Sequence, residues 1–217
     1  MKIAIITSTN GGVMSKLLDI DFFRNRLHHV ISDRSCGAID IANRYDIKTN
    51  IFPTKNGRIF SQNLLDNIEW DEYDLIISFY TKLFHGFFLA KVPNKLINIH
   101  PSILPACPGL NGFEDTLSSG SKFIGSTVHF IDEGMDTGKP IIQAARPYNP
   151  NLNEVQNRHL LFIDQCVILL QAIKWFDDKR VKLDDNKIKI QDAKYEVSAY
   201  APNIDFTEAI NLKDRFK

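Results

Sequence analysis

The stretch "INIHPSILPACPGLNGFEDTL", Ile97 to Leu117, runs an apolar segment into a histidine and then into a loop holding three prolines. With the residues just before it, "KLINIH" is a near-continuous apolar run, which suits a central strand covered on both faces. Alternation along such a strand puts Asn98 and His100 on one face, at the strand's end. In open α/β sheets that carboxyl edge is where ligands bind. An Asn amide can donate to a developing oxyanion, and a His can move a proton at neutral pH. Asp136 sits in "DEGMDTG", a Gly-bounded loop, and a carboxylate beside the His would fix its tautomer. The set Asn98, His100 and Asp136 suits addition of an amine to a carbonyl followed by proton transfer. Singly, each has a plainer use: a strand-end His as structure, an Asn as a turn cap, an Asp as a loop stabiliser. Cys107, between Ala106 and Pro108, reads as packing.

Outward from this stretch, strands alternate with helices. "KIAIITS", "HHVISD", "KTNIF" and "DLIISFY" read as strands, the third weak. "GGVMSKLL", "CGAIDIANRYD" and "GRIFSQNLLDNIEW" read as helices. Such alternation implies βαβ units and a parallel sheet, with right-handed crossovers gathering the loops after the strands at one edge. Beyond it, "SKFIGSTVHFIDEG" and "KPIIQAARPY" are strand-like runs separated closely enough to form an antiparallel extension. "LNEVQNRHLLFIDQCVILLQAIKWFDDK" reads as one long helix, from about Asn153 to Lys179, with an apolar stripe suited to core or to a subunit contact, which leaves a homodimer open. "RVKLDDNKIKIQ" reads as a hairpin turning at Asp184–Asp185–Asn186. The expected fold class is α/β: a Rossmann-like, mostly parallel sheet with helices on both faces and an antiparallel C-terminal extension. Residues 1–190 form the catalytic domain in this reading, and 191–217 an irregular tail packed on it.

Composition narrows the function classes. Lys plus Arg balances Asp plus Glu at 26 each in 217 residues, so no net field attracts nucleic acid or an acidic membrane. The three cysteines are far apart and lack metal-type spacing, which reads as reduced thiols in a cytoplasmic protein. No apolar stretch approaches the about 20 residues needed to span a bilayer, and the opening run is too short for a signal peptide. No metal is expected. His28 and His29 lack a ligand cluster, and His129, alternating with Val128 and Phe130, reads as a strand-face residue.

"NIHPSILPACPGL" followed by "GSTVHFIDEGMDTGKPIIQA" resembles the glycinamide ribonucleotide transformylase branch of the folate-dependent formyltransferases. "KIAIITSTNGG" is similar to that branch's first strand and acceptor-phosphate loop, "SFYTKLF" to its folate-side segment, and "AIKWFDDKRVKL" to the end of its long helix and the next strand. The likeness spans roughly residues 1–190. It implies a formyl donor, 10-formyltetrahydrofolate, and a primary amine as small-molecule acceptor, phosphate- or nucleotide-linked. By the resemblance, Asn98, His100 and Asp136 are catalytic. Tyr80, Thr81, Lys82, Leu83 and Phe84, with Glu133, Gly134 and Met135 in the loop to Thr137, would meet the folate, largely through backbone. Asn10, Gly11, Gly12, Pro101, Ser102 and Gln165 would meet the acceptor. The Leu104–Pro105 bond is expected cis.

The departures lie on the acceptor side. The family's phosphate loop usually reads Gly-Asn-Gly-Ser-Asn where this chain has "TNGGV", although backbone N–H groups at the helix start could still receive a phosphate. Asn111 replaces a common His. Gln165 and Cys166 stand where a Glu-His pair is usual, Phe162 replaces an upstream Gln, and, apart from these, Lys82 replaces an Arg on the folate side. A site built to hydrogen-bond one substrate loses much when those groups change, so the sequence puts an amino-sugar nucleotide ahead of glycinamide ribonucleotide as acceptor. A formyltetrahydrofolate hydrolase is the alternative chemistry; such enzymes normally carry a further N-terminal regulatory domain, and this sequence opens on the first strand. A non-catalytic folate- or nucleotide-binding protein is the remaining class.

Overall fold

The run Ile3–Thr7 is buried at every position and forms β1 in the computed structural model, which describes residues 1–184 and 187–216. Contacts divide the chain into two units: Met1–Asn98 with Phe130–Met135, and Ile99–His129 with the chain from Asp136 onward.

In the first unit β1 is followed by α1 (Gly12–Leu18), α2 (Asp21–Arg24), β2 (Leu27–Ser32), α3 (Gly37–Arg44) and β3 (Lys48–Ile51). Then come α4 (Gly57–Asn67), β4 (Leu75–Phe79), α5 (Phe87–Lys91) and β5 (Leu96–His100), the last of which carries the chain into the second unit. The strands lie in the order β5, β4, β1, β2, β3, all parallel. Ile5 of β1 is in register with Val30 on one side and Ile77 on the other. Central strands buried on both faces need apolar residues at every position, which is why these runs show no alternation. At the edge, β3 reads Lys-Thr-Asn-Ile and is nowhere buried. Asn56 caps α4, its Oδ1 accepting the N–H groups of Arg58 (2.9 Å) and Ile59 (3.3 Å). An aromatic cluster fills the core beside α4 and α5: Phe60, Trp70, Tyr73, Tyr80, Phe84 and Phe88. The segment Phe130–Met135 joins this unit at β5, Ile131 N–H donating to Leu96 O (3.0 Å).

The second unit holds α6 (Gly112–Ser118), β6 (Phe123–Phe130), β7 (Pro140–Pro147), α7 (Glu154–Asp177), β8 (Val181–Asp184), β9 (Lys187–Ile190), β10 (Tyr200–Ala201) and α8 (Thr207–Leu212). β6 and β7 pair antiparallel, as the sequence suggests, and β10 adds antiparallel to β7. A capping box starts α7: Asn153 accepts from Gln156 N–H, and Gln156 accepts from Asn153 N–H, both at 2.9 Å. Among the described residues α7 is the one helix long and apolar enough to cross a membrane, but 67% of its most apolar window is buried inside the protein. β8 and β9 pair as the arms of a hairpin; residues 185–186 of the expected turn lie outside the described residues.

The tail differs from the irregular segment expected. It contributes β10 and α8, with Tyr200 and Leu212 buried. The Gln171 side-chain oxygen on α7 accepts the N–H groups of Asp205 (2.7 Å) and Phe206 (2.8 Å) just before α8. These partners come from a distant helix, so the local sequence carries no periodic sign of them.

Candidate active site

His100 ends β5 and is 4% exposed. Its Nε2 lies 2.8 Å from the backbone oxygen of Cys107. A carbonyl only accepts, so Nε2 carries the proton of that bond. The other nitrogen, Nδ1, lies 3.4 Å from Asp136 Oδ2. Asp136 is held by its own backbone in the left-handed region (φ 55) and by Gly109, whose N–H donates to Oδ2 at 2.8 Å. A ring facing a carbonyl on one side and a carboxylate on the other is held in one orientation.

The loop after β5 is built to hold this geometry. Ser102 Oγ donates to Ala106 O (2.5 Å), Thr127 Oγ1 of β6 donates to Ser102 O (2.8 Å), and Leu104 N–H donates back to Thr127 Oγ1 (3.0 Å). Gln143 of β7 donates to Leu104 O (2.7 Å). The Leu104–Pro105 peptide is cis, as expected. Cys107 adopts φ 51, which turns its carbonyl toward the His100 ring. α6 begins against that ring: a Cβ added at Gly112 would lie 2.5 Å from His100 Nε2 and 3.2 Å from Cys107 O.

His129 is a contact the sequence reading passed over. It is 1% exposed on β6, and its Nε2 lies 3.6 Å from Asp136 Oδ1. One carboxylate thus faces two histidines. His129 is a strand-face residue, as read from "TVHFI"; what that face meets is set by the loop that brings Asp136 back.

The other expected site residues fall as follows. Asn98 is half-buried in β5, in register with Ser78 of β4 and two positions before His100 on the same strand. Tyr80 and Phe84 point into the aromatic core, their rings 5.0 Å apart, while Thr81 and Leu83 between them are exposed. Burial first, and the Asp33 carboxylate second, push the Tyr80 hydroxyl up to about 12. Glu133 and Met135 are exposed and Gly134 half-buried. Gly11 has φ 74, and a Cβ there would meet Ala38 Cα at 2.9 Å, so the turn into α1 demands glycine. Its N–H reaches Thr9 Oγ1 at 3.4 Å, while Asn10 and Gly12 are exposed beside it. Pro101 is half-buried; Ser102 is fully buried, its hydroxyl used inside the loop. On α7, Gln165 is half-buried and Cys166 is 0% exposed. Lys82 is ion-paired with Asp33 at 2.7 Å. Among the described residues no group of three or more His, Cys, Asp or Glu is placed to hold a metal ion.

Residues 1–160 match the formyl transferase family. The chain belongs to that family. It is an enzyme of the folate-dependent formyltransferases, and its relatives lie in the phosphoribosylglycinamide formyltransferase branch. This formyltransferase is 30% identical over 213 residues to the phosphoribosylglycinamide formyltransferase of Haemophilus influenzae, covering 92% of this chain and 98% of that one. The Bacillus subtilis enzyme of the same name is 32% identical over 152 residues, 66% of this chain and 78% of the relative. Glycinamide ribonucleotide transformylase 1 from Symbiobacterium toebii superposes with a TM-score of 0.78 at 28% identity, covering 88% of this chain and 94% of that structure. A formyltetrahydrofolate deformylase from Pseudomonas syringae also shares the fold, with a TM-score of 0.77 at 20% identity over 88% of this chain and 66% of that one.

Proposed function

We propose that this formyltransferase moves the formyl group of 10-formyltetrahydrofolate to the primary amine of glycinamide ribonucleotide. The observation that carries this reading is the near end-to-end match, 92% of this chain against 98% of the relative, with a phosphoribosylglycinamide formyltransferase. It replaces the amino-sugar acceptor favoured by the sequence. That preference leaned on changes in the phosphate loop, at Asn111 and on α7; of these, Cys166 is wholly buried, so its identity reports core packing rather than the acceptor.

In this reading Asn98 donates its amide N–H to the oxygen on which negative charge develops. His100, facing Asp136, holds the proton that the attacking amine gives up and passes it to the leaving nitrogen. Asp136 keeps the ring oriented and offsets its charge. The exposed backbone of the Tyr80–Phe84 segment and of Glu133–Met135 meets the folate. Asn10 and Gly12, with the start of α1, receive the acceptor's phosphate, and Pro101 and Gln165 shape its remainder; the buried Ser102 hydroxyl supports the loop from behind. We place the enzyme in the cytoplasm, where its free cysteines stay reduced.

The test is tetrahydrofolate release from 10-formyltetrahydrofolate with no amine, with glycinamide ribonucleotide, or with a panel of nucleotide-linked amino sugars. Turnover dependent on glycinamide ribonucleotide is the expected result. Turnover only with an amino sugar would reinstate the other acceptor, and turnover with no amine would make the protein a hydrolase.

A further inference from the structure

Asp33, directly after β2, has a side chain with 0% exposure and accepts four hydrogen bonds from three residues. Ser8 Oγ donates to Oδ1 at 2.9 Å and Arg34 Nε to the same oxygen at 2.8 Å. Arg34 Nη2 and Lys82 Nζ each donate to Oδ2 at 2.7 Å. The backbone adds another tie, Thr54 N–H to Asp33 O at 3.1 Å. Ser8 follows β1 directly and opens the loop through Asn10 to Gly12. Lys82 is the middle residue of the Tyr80–Phe84 segment, and its ammonium lies 5.7 Å from the Tyr80 ring centre. One buried carboxylate thus links the loops that follow β1, β2 and β4, and the backbone of the same residue ties in the segment after β3.

Burial alone would push this carboxyl up; the hydrogen bonds from Arg34, Lys82 and Ser8 outweigh it and bring it down to about 2. Asp33 therefore stays ionised at any pH at which the enzyme works. Without its charge, the Lys82 ammonium and the Arg34 guanidinium would lose their shared counter-ion, and both loops would lose their common anchor.

We infer that Asp33 is a positioning residue of the transfer, its buried carboxylate locking the acceptor-phosphate loop through Ser8 and the folate segment through Lys82 into one fixed arrangement. The assignment of the two loops rests on the function proposed above; the tie itself does not. Asp33 acts through Ser8 and Lys82, without contact to either substrate. Separate anchors would let the two loops vary independently, whereas a shared carboxylate makes their positions one variable.

The test combines hydrogen exchange on the ligand-free protein with steady-state kinetics of Asp33→Asn, Ser8→Ala and Lys82→Met. Asp33→Asn is expected to speed exchange at both residues 8–12 and 80–84 while the core strands stay protected. It should raise the KM for both substrates by about fivefold or more. Ser8→Ala should move mainly the acceptor KM, and Lys82→Met mainly the donor KM. Faster exchange confined to one segment, or both KM values within twofold of wild type in a folded Asp33→Asn protein, would overturn the inference. If Asp33→Asn does not fold, the two single-anchor variants decide: the inference fails if neither shifts exchange in its own segment. Wild-type protein that ignores glycinamide ribonucleotide would sink the proposed acceptor, leaving the exchange result to stand or fall alone.

Discussion

His100 donates from Nε2 to a backbone oxygen at 2.8 Å and turns Nδ1 toward Asp136 at 3.4 Å. Both contacts hold the ring in one orientation, so removing either side chain of the pair should disable chemistry more than folding. His100→Ala or Asp136→Asn is expected to lower turnover by ~10²-fold or more. The check is tetrahydrofolate release measured beside a far-ultraviolet circular dichroism spectrum like that of wild type. Gly112 offers a second residue-level test. A Cβ there would lie 2.5 Å from His100 Nε2, far inside contact distance, and the ring cannot retreat from a buried site held on both sides. Gly112→Ala should therefore lower kcat by about tenfold or more through displacement of His100. Full kcat in that variant would show that α6 can shift without disturbing the ring.

At the scale of elements, strands β2 and β3 are fastened by a buried histidine. His29 is 0% exposed; Tyr73 and Asn50 lie 2.8 Å from its Nδ1 and Nε2 respectively. The Asn50 oxygen accepts, so Nε2 carries the proton and Nδ1 takes the Tyr73 hydroxyl. Burial is the main reason its pKa falls to about 4, partly opposed by the Asn50 bond. A neutral ring is thus what the fold requires. In the unfolded chain His29 binds a proton below pH about 6.5, so stability complete above that value is lost as pH falls from about 6.5 to 4. Asp33, lowered to about 2, adds a separate loss only below its unfolded value, from pH about 3.8 downward. The melting temperature of wild type should therefore fall between pH 6.5 and 5, above the carboxylate range. His29→Gln should flatten that part of the profile, and an unchanged slope would show that His29 does not control it.

Across the whole molecule, the tail belongs with the second unit. Tyr200 pairs through β10 with β7 and donates its hydroxyl to Asp164 Oδ1 at 3.2 Å. Asp164 also takes the Arg146 guanidinium through Nε (2.5 Å) and Nη2 (2.7 Å). Asp205 Oδ1 accepts from Gln171 (2.9 Å) and Trp175 (3.1 Å) on α7. Burying Tyr200, Phe206 and Leu212 contributes about 1.5–3 kcal/mol each, a large share of the about 5–15 kcal/mol that holds a domain together. Deleting everything from Asp192 onward should leave a protein that melts far below wild type or aggregates. A truncated chain with an unchanged melting temperature would make the tail an ornament.

The strands β1, β4 and β5 were legible as apolar runs, because a strand covered on both faces has no polar side to show. The motifs that carry Asn98, His100 and Asp136 disclosed the family because they are short and keep their order along the chain, and the expected approach of Asp136 to His100 is met at 3.4 Å. The acceptor preference rested in part on Cys166, whose burial could not be seen in one dimension. Only the tertiary structure decided that a Cys107 carbonyl meets His100, that His129 shares Asp136, that Asp33 gathers the loops after β1 and β4, and that the tail forms β10 and α8. Those features are made by backbone groups, which every residue carries alike, or by side chains far apart in the chain, and neither leaves a local pattern to read.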